Sequence, residues 1–144
     1  GGVGSAIAAS LAAAGLARLS LFDVDGPAAE GLAARLKQHY PALETTLGCK
    51  DPAGHDIVVN ASPLGMKADD PLPLETARLE PAAFVGEVVL SREVTPLLAA
   101  ARERGCETQV GTDMLFEMIP AYLEFFGFPT TTAEELRVIA KIRY

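Results

Sequence analysis

Four residues at the start of the chain, Gly1-Gly2-Val3-Gly4, open a run of helix formers upstream of an apolar strand that ends at Asp23, about 20 residues past the glycines. Glycines crowded at a helix start let backbone N–H groups approach a pyrophosphate closely, and the helix end adds partial positive charge. That is the chemistry of a dinucleotide cradle. In the pattern G-x-G-x-x-G, Gly1 and Gly4 take the places of the second and third glycines. The first glycine and the strand before it are absent from the sequence, so a chain opening in mid-loop, as the C-terminal part of a longer protein, is expected. At the end of the following strand, the Asp23 carboxylate can accept hydrogen bonds from both hydroxyls of an adenosine ribose, and it repels a 2′-phosphate. Val24 offers no positive charge to offset that repulsion. Taken alone, Asp23 and Asp25 would read as turn residues around Gly26-Pro27; the upstream glycines tip the reading to ribose recognition.

A second group follows the β-branched run Asp56-Ile57-Val58-Val59-Asn60, which continues as Ala61-Ser62-Pro63-Leu64-Gly65-Met66. In a parallel sheet, ligands lie just beyond the carboxyl ends of strands, which predicts Asn60, Ser62 and Met66 beside whatever the glycine loop holds. The plainer alternative is an ordinary strand exit punctuated by Pro and Gly.

The elements that must position these groups follow from periodicity. Ser5 to Ala14 predicts a slim helix closed by Gly15, and Arg18 to Phe22 a short buried strand. Pro27 to His39 carries Ala29, Leu32, Ala33 and Leu36 on one face and charges on the other. Glu44 to Leu47 is a weak strand, Asp51 to Gly54 a turn or truncated helix, and Asp69 to Pro73 a mobile surface loop. Phe84 to Leu90 predicts a further strand, and Thr95-Pro96 caps a helix from Leu97 to Arg104. Glu107 to Val110 is the last strand. Met114, Leu115, Met118, Ile119, Tyr122, Leu123 and Phe126 recur at helical spacing, with Pro120 predicting a kink or early break. Thr132 and Glu135 form a capping box for a final helix reaching Tyr144. Strands alternating with helices imply an α/β, doubly wound parallel sheet of order 3-2-1-4-5-6 whose first, central strand is absent from the sequence.

The 144 residues are 49% hydrophobic, enough for one good core. A net charge of −7 with no clustered Lys or Arg argues against a nucleic-acid surface and for a small-molecule partner. No apolar stretch is long enough for a membrane helix, so no membrane partner is expected. Cys49 and Cys106 lack metal-ligand spacing, and no metal is expected; two reduced, packed thiols fit a cytoplasmic setting.

Several of these motifs together resemble the shikimate dehydrogenase family in its C-terminal nucleotide-binding half. They are the Gly1 to Gly4 loop, Asn60-Ala61-Ser62-Pro63-Leu64-Gly65-Met66, Gly86-Glu87-Val88-Val89, Thr95-Pro96-Leu97-Leu98, and Gly111 with Met114-Leu115. The resemblance implies one Rossmann-like domain over 1–144, with 112–144 as C-terminal helices packing toward an N-terminal substrate domain. It implies an NAD(P)-dependent oxidoreductase acting on shikimate, quinate or a related cyclic hydroxy acid. It also implies that the glycine loop (Gly1, Gly2, Val3, Gly4) holds pyrophosphate and that Asn60, Ala61, Ser62 and Met66 line the cofactor cleft. Val88, Leu90, Gly111 and Met114 then flank the nicotinamide. The family's catalytic Lys and Asp belong to the other domain, so no catalytic residue is expected in this chain. A second copy of the chain, as a homodimer, stays open as a partner.

The departures from the family pattern are informative. NADP-using members usually carry Asn-Arg-Thr or Asn-Arg-Ser where Asp23-Val24-Asp25 stands here, so NAD is expected over NADP. Leu90 replaces a usual Tyr. Met118 replaces a Gln that usually reaches substrate, and a thioether cannot make a comparable hydrogen bond. Two readings follow: a shikimate- or quinate-type dehydrogenase, and a non-catalytic module that binds or senses NAD(H).

Overall fold

The structure is a computed structural model and describes residues 1–142. The chain divides into two compact units, Gly1–Asp51 and Pro52–Tyr144. In the first unit, α1 (Gly2–Ala13) leads to β1 (Arg18–Leu21), then α2 (Gly26–His39) and β2 (Glu44–Leu47). The two strands run parallel, in register from Arg18↔Glu44 to Leu21↔Leu47. Slim residues set the packing of α1: Ala8 and Ala12 are buried in one cluster with Leu36 of α2 and Leu43. Gly15 leaves the helix at φ +93°, a conformation that only glycine adopts without strain. The start of α2 is fixed by Asp25, whose carboxylate accepts from the Ala28 N–H at 3.2 Å.

The second unit holds β3 (Ile57–Asn60), a short 3₁₀ turn (Thr76–Arg78), β4 (Phe84–Glu87), α3 (Pro96–Glu103), β5 (Glu107–Gln109), α4 (Gly111–Phe125) and α5 (Ala133–Ile139). Its sheet has the order β3-β4-β5, all parallel, with Asn60 opposite Glu87 and Gly86 opposite Gln109. Leu79, Val85, Leu97, Leu98, Ala101 and Cys106 form its core. Parallel strands joined through helices make an α/β, Rossmann-like fold, and the strand pairs within each unit are those that the order 3-2-1-4-5-6 requires. Among the described residues, no helix is long and apolar enough to cross a membrane.

Several element boundaries differ from the sequence reading. Strand β4 stops at Glu87 rather than Leu90 because the Glu87 carboxylate captures the next two backbone N–H groups. Helix α4 starts three residues before Met114, at Gly111, and stays continuous through Pro120 to Phe125, with no early break. Helix α5 begins with the expected capping box at Thr132 but ends at Ile139; residues 143–144 lie outside the described part. Cys49 is exposed rather than packed, whereas Cys106 is buried. The 69–73 segment is anchored at Asp70, which accepts from two backbone N–H groups.

Candidate functional site

In the first unit the glycine turn and the acidic strand end meet. Helix α1 makes its first internal bond from Ser5 N–H to the Gly1 carbonyl, at 3.0 Å. The N–H groups of Gly2, Val3 and Gly4 therefore precede any intrahelical acceptor and face outward from the helix end. A Cβ built on Gly1 or Gly2 would meet no atom within 4 Å, so the space these glycines leave open is not filled by the protein. Asp23 lies beside them: its Oδ2 is 3.8 Å from the Gly1 nitrogen, and its side chain is 35% exposed. Its Oδ1 accepts from the Asp25 N–H at 3.0 Å. The two acidic residues thus divide the work, Asp25 capping α2 while Asp23 keeps one carboxylate oxygen toward the turn.

A cleft of about 340 Å³ opens at this point, lined among others by Gly1, Ser5, Phe22, Asp23, Gly31 and Arg35. Outward N–H groups, open glycine surface and a half-exposed carboxylate in one cleft fit the pyrophosphate and ribose of an adenine dinucleotide. Arg35 is the residue that sequence reasoning missed. It was visible only as one charge on the polar face of α2, and its reach along the helix brings its guanidinium over Gly31, 3.5 Å from where a Cβ would stand.

In the second unit, the residues beyond β3 and β4 form a buried polar knot. Asn60 is 4% exposed. Its amide donates to the Leu64 carbonyl and to Glu87 Oε1, both at 2.9 Å, while its Oδ1 accepts from the N–H and hydroxyl of Ser62. Its side chain is thereby engaged within the protein, where it holds the loop that follows β3. Glu87, also 4% exposed, accepts from the Val88 and Val89 N–H groups, and from the Thr95 hydroxyl at 3.0 Å. Burial pushes the Glu87 carboxyl above its ordinary range, and the hydrogen bonds from Thr95, Val88, Val89 and Asn60 pull the other way. Gly111 is buried, and a Cβ there would fall 2.2 Å from the Val89 carbonyl oxygen. Of the remaining expected site residues, Ala61, Met66 and Leu90 are exposed, and Val88, Met114 and Met118 are half-buried. Leu90, Met114 and Met118 stand outside the knot.

The half-buried Asp70 closes the loop after Met66. It accepts from Lys67 N–H at 2.9 Å and Gly65 N–H at 3.0 Å, and the Lys67 bond leads the causes that hold its carboxyl below the ordinary range. A carboxyl with a lowered folded pKa adds stability that is present above its unfolded pKa and is lost as pH falls through the folded value. Acidification below the usual carboxylate range is therefore expected to speed amide exchange at Gly65 and Lys67 after correction for intrinsic rates; unchanged protection there would refute the assignment.

These features define a Rossmann-like nucleotide-binding fold. No protein-family model matches the chain. It is 36% identical over 143 residues to the NADP-linked shikimate dehydrogenase of Rhodospirillum rubrum, covering 95% of this chain and 50% of the relative. It is 35% identical over 133 residues to the NAD-linked quinate/shikimate dehydrogenase of Corynebacterium efficiens, covering 88% of this chain and 47% of the relative. The solved quinate dehydrogenase of Corynebacterium glutamicum, in complex with NAD, superposes with a TM-score of 0.82 at 34% identity, over 96% of this chain and 51% of that one. The chain belongs to the shikimate/quinate dehydrogenase family and spans about half the length of the relatives it matches.

Proposed function

We propose that the chain is the cofactor-binding part of an NAD-dependent oxidoreductase that moves a hydride between nicotinamide and a ring hydroxyl or ketone of shikimate, quinate or a related cyclic hydroxy acid. The observation that carries the cofactor choice is Asp23, half-exposed beside the outward N–H groups of the glycine turn. Bound there, NAD supplies a carbon that accepts or returns the hydride. The residues of this chain bind and orient. Gly1 to Gly4 hold the pyrophosphate, Asp23 takes the ribose hydroxyls, and Asn60, Ala61, Ser62, Met66, Val88, Leu90, Gly111 and Met114 shape the nicotinamide end. The proton-transferring Lys and Asp of the family lie in the substrate domain. Tyr122, Phe125, Phe126 and Phe128, with Val138 and Ile139, are exposed on and around α4 and α5, which suits the proposal that 112–144 pack toward that domain.

Substrate choice turns on Met118. A site built to pair a hydroxyl rejects ligands lacking it by large factors, and a methionine at this position removes one such pairing. The test is a screen of the full-length protein with NAD and NADP against shikimate, quinate and related hydroxy acids, alongside Met118→Gln. The expected result is NAD-linked turnover, with Met118→Gln shifting the preference among ring acids by about tenfold or more. NAD binding without turnover of any ring acid would favour the sensing module, the reading that the loss of this polar contact supports. Failure to bind either dinucleotide would overturn both.

A further inference from the structure

We infer that Glu87 is the positioning residue for the nicotinamide end of the site, a single buried carboxylate that sets the course of both loops leaving β3 and β4. The inference rests on the cofactor reading above and goes beyond it by naming the group that holds those loops. Neighbouring parallel strands place Asn60 and Glu87 directly opposite each other. Glu87 Oε1 then accepts from Asn60 Nδ2 at 2.9 Å, from Val88 N–H at 3.1 Å and from Val89 N–H at 3.4 Å. Oε2 accepts from the Thr95 hydroxyl, which itself accepts the Leu98 N–H at 3.2 Å and so caps α3. One carboxylate thus ties the 60–66 segment, the turn after β4 and the start of α3.

The ties extend outward from Glu87. Asn60, held by Glu87, grips Ser62 N–H at 3.1 Å, the Ser62 hydroxyl at 2.6 Å and the Leu64 carbonyl at 2.9 Å. Gly65 packs on Thr95, where a Cβ would stand 3.7 Å from the Thr95 side chain. Ser91 Oγ donates to the Met66 carbonyl at 3.1 Å, joining the two loops a second time. Asn60 Nδ2 and the Val88 and Val89 N–H groups can only donate, so Oε1 is held as an acceptor, and the Thr95 hydroxyl, which donates to Oε2, is the one partner able to accept as well. An ordinary solvated surface glutamate would show none of this. Glu87 touches no reacting atom in this account; it acts through Asn60, Val88, Val89 and Thr95.

The test uses the full-length protein and three readouts. Glu87→Gln preserves the shape but leaves one acceptor oxygen: it can keep Asn60, Val88 and Val89 only if its amide turns to the Thr95 hydroxyl, which then accepts from it as well as from Leu98 N–H and loses the acceptor for its own proton. The expected result is a roughly tenfold rise in KM for NAD with a lower kcat. Affinity for ADP-ribose, which lacks the nicotinamide, is expected to stay within about twofold, since its contacts lie at Gly1 to Gly4 and Asp23. Amide exchange at Ser62, Val88 and Val89 is expected to accelerate while that of α2 does not. Unchanged exchange at these three amides would overturn the inference whatever the activity, and so would equal losses for NAD and ADP-ribose. Failure of the wild type to bind either dinucleotide, with accelerated exchange in the variant, would instead sink the cofactor reading and leave only the tie between Glu87 and the two loops standing. Should Glu87→Gln fail to fold, Thr95→Val and Thr95→Ser keep the test open. Valine is expected to reproduce the selective loss and serine to restore it; two equivalent variants would overturn the inference.

Discussion

Gly111→Ala is expected to destabilise the second unit by about 3 kcal/mol, the upper end of what overpacking a close-packed site costs. An added Cβ would stand 2.2 Å from the Val89 carbonyl oxygen and 2.9 Å from the carbonyl carbons of Val88 and Val89. All three obstacles are backbone, so no rotamer change relieves them. Nor can the Val88–Val89 segment swing aside cheaply, because its N–H groups are held by Glu87. Alanine would recover about 1 kcal/mol of helix propensity at the start of α4, which is smaller than the clash and does not reverse the sign. Gly2→Ala is the matched control: a Cβ there meets no atom within 4 Å, so only the small propensity gain remains. Urea unfolding of the full-length protein should show a lower midpoint for Gly111→Ala and an unchanged or slightly higher one for Gly2→Ala. Equal midpoints would mean that α4 starts farther from β4 than the structure places it.

The same residues show what was legible in the sequence. The Asn60 to Met66 run and the Thr95-Pro96 cap were readable because strand composition and capping chemistry are local, and β3 and α3 fall where those signals put them. Glu87 was not. In Phe84 to Leu90 it looked like one charge within an apolar strand; only pairing with β3 brings Asn60 opposite it and makes it an acceptor at the strand's end. Pro120 misled for a related reason. The missing N–H costs one internal bond, but a helix held by contacts to a neighbour can absorb that loss. Arg137 of α5 supplies such contacts, reaching Asp113 Oδ1 at 3.2 Å and Glu117 Oε1 at 2.8 Å on α4. Arg35 was invisible because nothing in linear spacing says that the third turn of α2 reaches back to the cleft at its start.

Asp23→Ala is expected to weaken NAD binding by roughly tenfold to a hundredfold, the loss of one or two hydrogen bonds to a charged acceptor. It is expected at the same time to improve NADP relative to NAD by a comparable factor. The carboxylate opposes a 2′-phosphate, and two charges about 4 Å apart near a protein surface interact by up to roughly 4 kcal/mol before screening. Removing that repulsion leaves Arg35 as the cation lining the same cleft, with no acidic neighbour drawn to it among the hydrogen bonds and ion pairs of the described residues. The improvement should therefore depend on Arg35. Asp23→Ala combined with Arg35→Ala is expected to lose the NADP gain while keeping the NAD deficit, and the NADP preference of the single variant should fall as salt is raised. Titrating both dinucleotides against the wild type, the two single variants and the double variant of the full-length protein decides the matter. Additive effects of the two substitutions on NADP would separate Arg35 from the phosphate, and unchanged affinities in Asp23→Ala would remove the ribose from this carboxylate altogether.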